Sequence, residues 1–282
     1  MSNSNPWTGQ QTVETSDGLT LAVHTAGDQA APTVILIHGY PDTHEVWNDV
    51  AATLAKTMHV VAYDVRGAGE SGIPARRSGY LLEQLSSDLN AVADAVSPDQ
   101  PVHLAAHDWG SMQTWEAVTD PGSEKRFASF TSMSGPCLDH VAHATRRMVR
   151  ERPTAALMQA GRSWYIAMFQ IPKLPELVLA RGVVRRFAPD STGSTSDAIH
   201  GIELYRANIR RTLLRPRERH TSVPVQLLIA TADPYAGPDI FEGVGQWTQE
   251  LVTVEINGGH WLPRTHADEV AARVLSFVGG RQ

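Results

Sequence analysis

Several short runs of this chain are predominantly apolar, PTVILIHG continuously so, and this pattern limits the fold more than any other feature. PTVILIHG (32–39), HVVAYD (59–64), PVHLAA (101–106) and PVQLLIA (224–230) show no alternation of apolar and polar residues. A strand with one wet face alternates; a strand covered on both faces does not. Two further runs, Phe127–Met133 and LVTVEI (251–256), complete the strand set. Helical patterns fall between them, at Val46–Lys56, Leu81–Val96, Trp109–Val118, 239–248 and 266–278. In Leu81–Val96 the apolar residues stand at 82, 85, 89, 92, 93 and 96, and Pro98 follows to stop the helix. Near the start, Gln11–Glu14 and Leu19–His24 flank Ser16-Asp17-Gly18, a hairpin signal. Strands alternating with helices give an α/β fold, a mostly parallel sheet with helices on both faces. Such sheets place their sites at the carboxyl ends of the strands. HGYP (38–41), HDWG (107–110), Asp233-Pro234 and Gly258-Gly259-His260 all fall at such ends.

One block breaks the alternation. Residues 137–222 hold 15 Lys/Arg against 7 Asp/Glu, whereas the remainder holds 9 against 23. The block shows little strand character and has helical stretches near 140–150, 154–170 and 199–214. It therefore reads as an inserted helical cap over a core made of 1–136 and 223–282, placed to shield a reaction from water. STGSTSD (191–197) reads as a mobile loop. The formal net charge of −6 argues against general nucleic-acid binding. The single cysteine, Cys137, excludes an internal disulfide framework. MSNSNPWTGQQ has neither a basic nor an apolar leader region, and no apolar run reaches the roughly 20 residues of a membrane helix. The expectation is a cytoplasmic protein.

At 104–111 the chain reads LAAHDWGS, and a lone carboxylate stands where an apolar strand stops. On its own Asp108 fits a turn or a helix cap as well as chemistry. The ordered motifs decide. HGYP follows the third strand, DVRGAGES (64–71) the fourth and HDWGS the fifth; the helical block comes next, then an Asp after a strand, then GGHW before the last helix. In this order the chain resembles the α/β-hydrolase superfamily, in its epoxide-hydrolase-like branch, over nearly its whole length. ASFTSMSGP (128–136), LYRANIRR (204–211) and ADPY (232–235) are most similar to the hydrolase domain of actinobacterial epoxide-hydrolase/short-chain-reductase fusions.

The resemblance places Asp108 at the nucleophile elbow, where Ala106, Gly110 and Ser111 supply the small neighbours that a strained turn requires. There is no GxSxG, and Ser111 lies inside the following helix. A carboxylate attacks without first losing a proton, and on a saturated carbon it yields an ordinary ester. The electrophile is therefore an sp3 carbon with a leaving group. His260 is expected to activate water against that ester. Asp233 is favoured to orient His260, with Asp139 the rival position. His38 and His107 read as structural. By resemblance the Tyr40–Pro41 bond is cis, and the N–H groups of Tyr40 and Trp109 form the oxyanion site. Tyr165, in SWYIAMFQIP (163–172), and Tyr205 match the family's pair of lid tyrosines, which donate to the epoxide oxygen.

These readings give an epoxide hydrolase acting on a small apolar epoxide and water, with neither cofactor nor metal. A haloalkane dehalogenase would share the elbow, but its usual oxyanion-loop Asn is Tyr40 here. A non-catalytic ligand-binding homologue is the third reading. A homodimer, and contact of the basic cap with acidic lipid or a partner, are left open.

Overall fold

The structure, a computed structural model, describes residues 5–280. Its sheet has eight strands: β1 (Gly9–Glu14), β2 (Thr20–Ala26), β3 (Thr33–Ile37), β4 (His59–Tyr63), β5 (Val102–His107), β6 (Phe127–Met133), β7 (Val225–Ala230) and β8 (Leu251–Ile256). Their order across the sheet is β1-β2-β4-β3-β5-β6-β7-β8. The hairpin β1–β2 is antiparallel and β2 runs antiparallel to β4; all the other pairs are parallel. Every residue of β3, β4, β5 and β7 is buried, as their predominantly apolar runs require.

Side chains leave a strand alternately to its two faces, and here the two faces build two cores. Ile35, Ile37, Val61, Tyr63, Leu104 and Ala106 pack in one, with α2 (Leu82–Val96) and α3 (Trp109–Val118). Val34, Leu36, Val60, Ala62 and Ala105 pack in the other, with α1 (Asn48–Leu54) and α11 (Ala267–Gly279). The short helix α10 (Leu262–Thr265) precedes α11.

Six helices lie between β6 and β7: α4 (Leu138–Glu151), α5 (Pro153–Arg162), α6 (Trp164–Phe169), α7 (Leu174–Leu179), α8 (Val184–Phe187) and α9 (Thr195–Leu214). The stretch expected as one helix over 154–170 is broken at Ser163 into α5 and α6. The helix expected at 239–248 is instead two single turns, Pro238–Phe241 and Val244–Gln246. Gly243 between them sits at φ 81°, which no helix residue can adopt.

The reading of 191–197 as a mobile loop is also corrected. Ser194 and Asp197 form a reciprocal capping box that starts α9. Thr192 donates its N–H to Asp42 at 2.8 Å and accepts the N–H of Thr43 at 3.0 Å. This polar tract is thus a docking point between the helical block and the core. From there α9 buries Ala198, Ile202, Tyr205 and Ile209 along one stripe. No helix among the described residues is long and apolar enough to cross a membrane.

The loop after β4 is fixed by a buried charge. Arg66 donates to both carboxylate oxygens of Asp88 on α2, at 2.6 Å each, and to Asp17 in the hairpin turn at 2.9 and 3.0 Å. Arg66→Met leaves the buried Asp88 without its partner and should cost about 3–5 kcal/mol in urea unfolding. The double variant Arg66→Met/Asp88→Leu should recover much of that loss. An unchanged urea midpoint in the single variant would contradict this account.

Candidate active site

Asp108 occupies the turn between β5 and α3 at φ 50°, ψ −123°, a region that a residue bearing a Cβ visits only under constraint. Its backbone is held from both sides. The Asp108 N–H donates to the Met133 carbonyl at 2.9 Å, and the Met112 N–H donates to the Asp108 carbonyl at 3.0 Å. The surrounding space admits only glycine at three points. A Cβ on Gly110 would collide with the Ile37 carbonyl, one on Gly135 with the Asp108 carbonyl, and one on Gly39 with the Asp108 side chain and the His107 carbonyl. The small residues at the elbow are therefore a steric condition for the turn.

The carboxylate has distinct partners on its two oxygens. Oδ1 accepts the Tyr40 N–H at 2.7 Å, and the Trp109 N–H also donates to the carboxylate. Oδ2 lies 3.6 Å from His260 Nε2. Burial pushes the Asp108 carboxyl up; the His260 charge and the two N–H groups oppose that. Tyr40 is followed by a cis peptide to Pro41.

His260 follows Gly258-Gly259 on the loop after β8. Its Nδ1 lies 2.8 Å from Asp233 Oδ2, after β7. The other Asp233 oxygen accepts the N–H groups of Tyr235 and Ala236 at 2.8 and 3.0 Å. Burial alone would lower the His260 pKa. The Asp233 hydrogen bond and charge, with the Asp108 charge, outweigh burial and raise it. Burial would raise Asp233, but His260 and the two N–H donors hold it below its ordinary value. The rival carboxylate, Asp139, is engaged elsewhere: it accepts from the Arg217 guanidinium at 2.9 Å and from the Arg217 N–H at 2.8 Å.

His107, read as structural, supports the imidazole from behind. Burial drives its pKa down to about 3, so it is neutral, and its Nε2–H donates to the His260 carbonyl at 2.9 Å. His38 accepts the Val65 N–H at 2.8 Å and ties the loop after β3 to the loop after β4.

Asp108 and His260 open onto a cavity of about 240 Å³, closed by the helical block. Tyr165 on α6 and Tyr205 on α9 line it, with Phe169 and Tyr40. The Tyr165 and Tyr205 rings meet edge to face at 6.0 Å, and their phenols interact. Burial, then neighbouring charge and phenols, pushes both hydroxyls above their ordinary pKa, so they remain protonated donors. The Trp109 indole is not among the lining residues; its ring packs edge-on against Tyr205 at 4.8 Å.

Three residues of the site were not singled out by the sequence reading. Tyr235 packs edge-on against His260 and donates its hydroxyl to the Phe187 carbonyl of α8 at 2.8 Å. Trp261, next to His260, donates its indole N–H to Asp42 Oδ2 at 3.0 Å. Asp42 is fully buried and its pKa is pushed up to about 6 by that burial, against the bonds from Thr192 and Trp261. Asp42 adjoins HGYP, and Tyr235 and Trp261 are the last residues of ADPY and GGHW, which is the sequence signal they carry.

A model of the alpha/beta hydrolase fold matches residues 32–267. The chain is 36% identical to the probable oxidoreductase EphD of Mycobacterium tuberculosis, over 94% of this chain and 49% of that protein. It thus spans about half the length of the first curated relatives it matches. It is 26% identical to epoxide hydrolase A of the same organism, over 94% of this chain and 96% of that protein. Among solved structures, an epoxide hydrolase from hot-environment metagenomes superposes with a TM-score of 0.81 at 21% identity, covering 96% of this chain and 98% of the other. At that identity the likeness concerns the fold.

Replacing Asp233 by Asn removes the largest of the contributions that lift His260 while leaving its burial and the Asp108 charge. In Asp233→Asn the imidazole should titrate at lower pH than in the wild type, as read by NMR of the ring nitrogens. The wild-type pair stabilises the fold fully between the ordinary carboxyl value of 3.8 and the ordinary imidazole value of 6.5. That stability fades as pH rises through the raised His260 pKa, and as pH falls through the lowered Asp233 pKa. An unchanged His260 titration in the variant would contradict this pairing.

Proposed function

The chain belongs to the α/β-hydrolase fold family, and from that premise we propose that it hydrolyses epoxides to vicinal diols through an ester formed on Asp108. One observation carries the reading. A carboxylate lines an apolar cavity with Oδ1 held by a backbone N–H and Oδ2 near an imidazole, and two protonated phenols line the same cavity.

In the first half-reaction Oδ2 attacks a ring carbon and the C–O bond to the epoxide oxygen breaks. Tyr165 and Tyr205 donate to that oxygen, and the forming alkoxide takes a proton from one of them, because an alkoxide is more basic than a phenolate. In the second half-reaction His260 Nε2 removes a proton from water, which adds to the Asp108 carboxyl carbon. Negative charge then collects on Oδ1, which the Tyr40 N–H already reaches at 2.7 Å, with the Trp109 N–H as the second donor to the carboxyl group. Collapse breaks the bond between the carboxyl carbon and Oδ2. The departing alkoxide takes the proton of the hydroxyl added from water, which restores the Asp108 carboxylate; the diol leaves with that oxygen, and the proton on His260 returns to the phenolate through solvent or product. Asp233 stabilises the imidazolium while it exists.

A halide leaving group has less support here. It calls for N–H donors beside the nucleophile; the Trp109 indole is not among the lining residues, the Trp261 indole is engaged by Asp42, and Trp164 stands exposed at the mouth. Halide release from alkyl halides, assayed beside diol formation, separates the two reactions.

In a single turnover in heavy-oxygen water, the first diol should carry oxygen from Asp108 and none from solvent; solvent oxygen in that diol would refute the ester route. His260→Gln should accumulate the ester, one substrate mass added to the intact protein. Tyr165→Phe/Tyr205→Phe should slow its formation by about 10²–10⁴-fold, measured by rapid quench, and full retention of that rate would remove the phenols from the reaction.

A further inference from the structure

Large apolar side chains are unevenly distributed over the surface. Among the described residues, ten of the twelve exposed ones belong to the helical block: Val149, Leu157, Met158, Trp164, Ile171, Leu174, Leu177, Phe187, Leu213 and Leu214. The core contributes only Ile73 and Val252. Scattered apolar residues need no explanation, but a concentration of this kind marks a surface that meets something.

Its position is defined by the cavity. Trp164 and Phe187 both line the cavity and are 57% and 52% exposed, so they stand at its opening. The segment 171–188 continues from that opening. It presents Ile171, Leu174 and Leu177 to solvent, while Val178, Leu179 and Val184 turn inward to the same cavity. An α7 face that is apolar toward water as well as toward the cavity has no partner within this fold.

The charges around the rim are of one sign. Lys173, Arg181, Arg185 and Arg186 are exposed and form no ion pair among the described residues. The single acidic residue of 171–188, Glu176, is already neutralised by Arg206, whose two terminal nitrogens reach its two carboxylate oxygens at 2.5 and 3.2 Å. Elsewhere in the block Arg211 pairs with Glu83, Arg217 with Glu116 and Asp139, and Arg152 with Glu242, while Arg150, Arg210 and Arg215 are exposed without an ion pair among the described residues. Four of the unpaired cations thus stand beside the exposed apolar residues at the cavity mouth.

We propose that this rim, α6 to α8, docks on an anionic lipid surface with the cavity mouth facing the bilayer. Apolar side chains flanked by long cationic ones suit the headgroup boundary, where the rings and leucines enter and the Lys and Arg heads stay with phosphate. A second copy of this chain suits the rim poorly. A two-fold contact sets each patch against itself, placing four unpaired cations against four, while the one carboxylate of 171–188, Glu176, is already held by Arg206. If the cavity holds an epoxide, a consequence that rests on the function proposed above, substrates dissolved in the membrane reach Asp108 without crossing water.

The test is co-sedimentation of the full chain with phosphatidylcholine vesicles, with and without phosphatidylglycerol, at low and high salt. The protein should sediment with the anionic vesicles, stay in solution with the neutral ones, and be released by salt. Each cation near such a surface contributes about fivefold, so Arg185→Gln/Arg186→Gln should weaken binding by about tenfold or more, and Leu174→Ser/Leu177→Ser comparably. All four side chains are exposed, so a thermal midpoint equal to wild type serves as the folding control. No binding to anionic vesicles at low salt, equal binding to neutral ones, or binding unmoved in both folded variants would overturn the proposal. So would a dimer in sedimentation velocity that Leu174→Ser/Leu177→Ser abolishes. Because the readout is binding, loss of diol formation with vesicle binding intact would remove the proposed reaction and leave the docking surface standing.

Discussion

A negative charge facing an apolar cavity must be compensated where it stands, and the parts of this molecule converge on that condition. Burial disfavours the Asp108 carboxylate. Two backbone N–H groups and one imidazole oppose the burial, and they come from three separate segments. Tyr40 follows β3, Trp109 opens α3 after β5, and His260 follows β8. The sheet order makes this convergence possible by seating β3 beside β5 and β6 on its other side. The N-terminus of α3 adds its own dipole at the same point. The elbow glycines then read as conditions on distance, since Gly135 lets the chain after β6 pass against the Asp108 carbonyl.

The helical block completes the cavity. The core contributes Asp108, His260 and the phenols of Tyr40 and Tyr235, and the block adds those of Tyr165 on α6 and Tyr205 on α9, the pair to which the proposed reaction gives the acid role. The aromatic rings of Tyr40, Tyr165, Phe169 and Tyr205 meet edge to face at centroid distances of 4.9–6.0 Å. Such a set fixes ring planes without filling the centre of the cavity. Burial of these rings also keeps their hydroxyls protonated, so one packing arrangement both shapes the space and sets its proton inventory.

What the sequence disclosed follows from how local each signal is. Strands β3 to β7 were readable because a strand covered on both faces is rich in apolar residues and lacks the regular polar alternation of a half-wet strand, even where it carries a buried His103, Ser129 or Gln226. The elbow, the GGH turn and HGYP were readable because each is a contiguous run at a strand end, and in order they pointed to the same family as the comparisons. The false helix at 239–248 arose because its apolar residues are suitably spaced while Gly243 needs a backbone angle that spacing does not encode. The 191–197 tract looked disordered because it is polar, yet its polar groups bind Asp42 and cap α9. Asp42 and Trp261 stand 219 positions apart and meet only in three dimensions; no periodicity links them.

That last contact joins the two halves of the molecule at one carboxylate. Asp42 Oδ1 accepts two donors from Thr192 in the helical block, at 2.8 and 3.2 Å. Oδ2 accepts the indole of Trp261, the residue after the base, whose ring meets the His260 imidazole edge-on. A buried carboxylate gives up a donor at considerable cost, so the block cannot withdraw from the core without disturbing the group that anchors the base's neighbour. Tyr235 makes a second such link, with its ring against His260 and its hydroxyl on α8. The geometry of the imidazole and the closure of the cavity are therefore one property of the structure, held at two points. In the reaction proposed above, a movement of the block away from the core would therefore displace the imidazole as well as open the cavity.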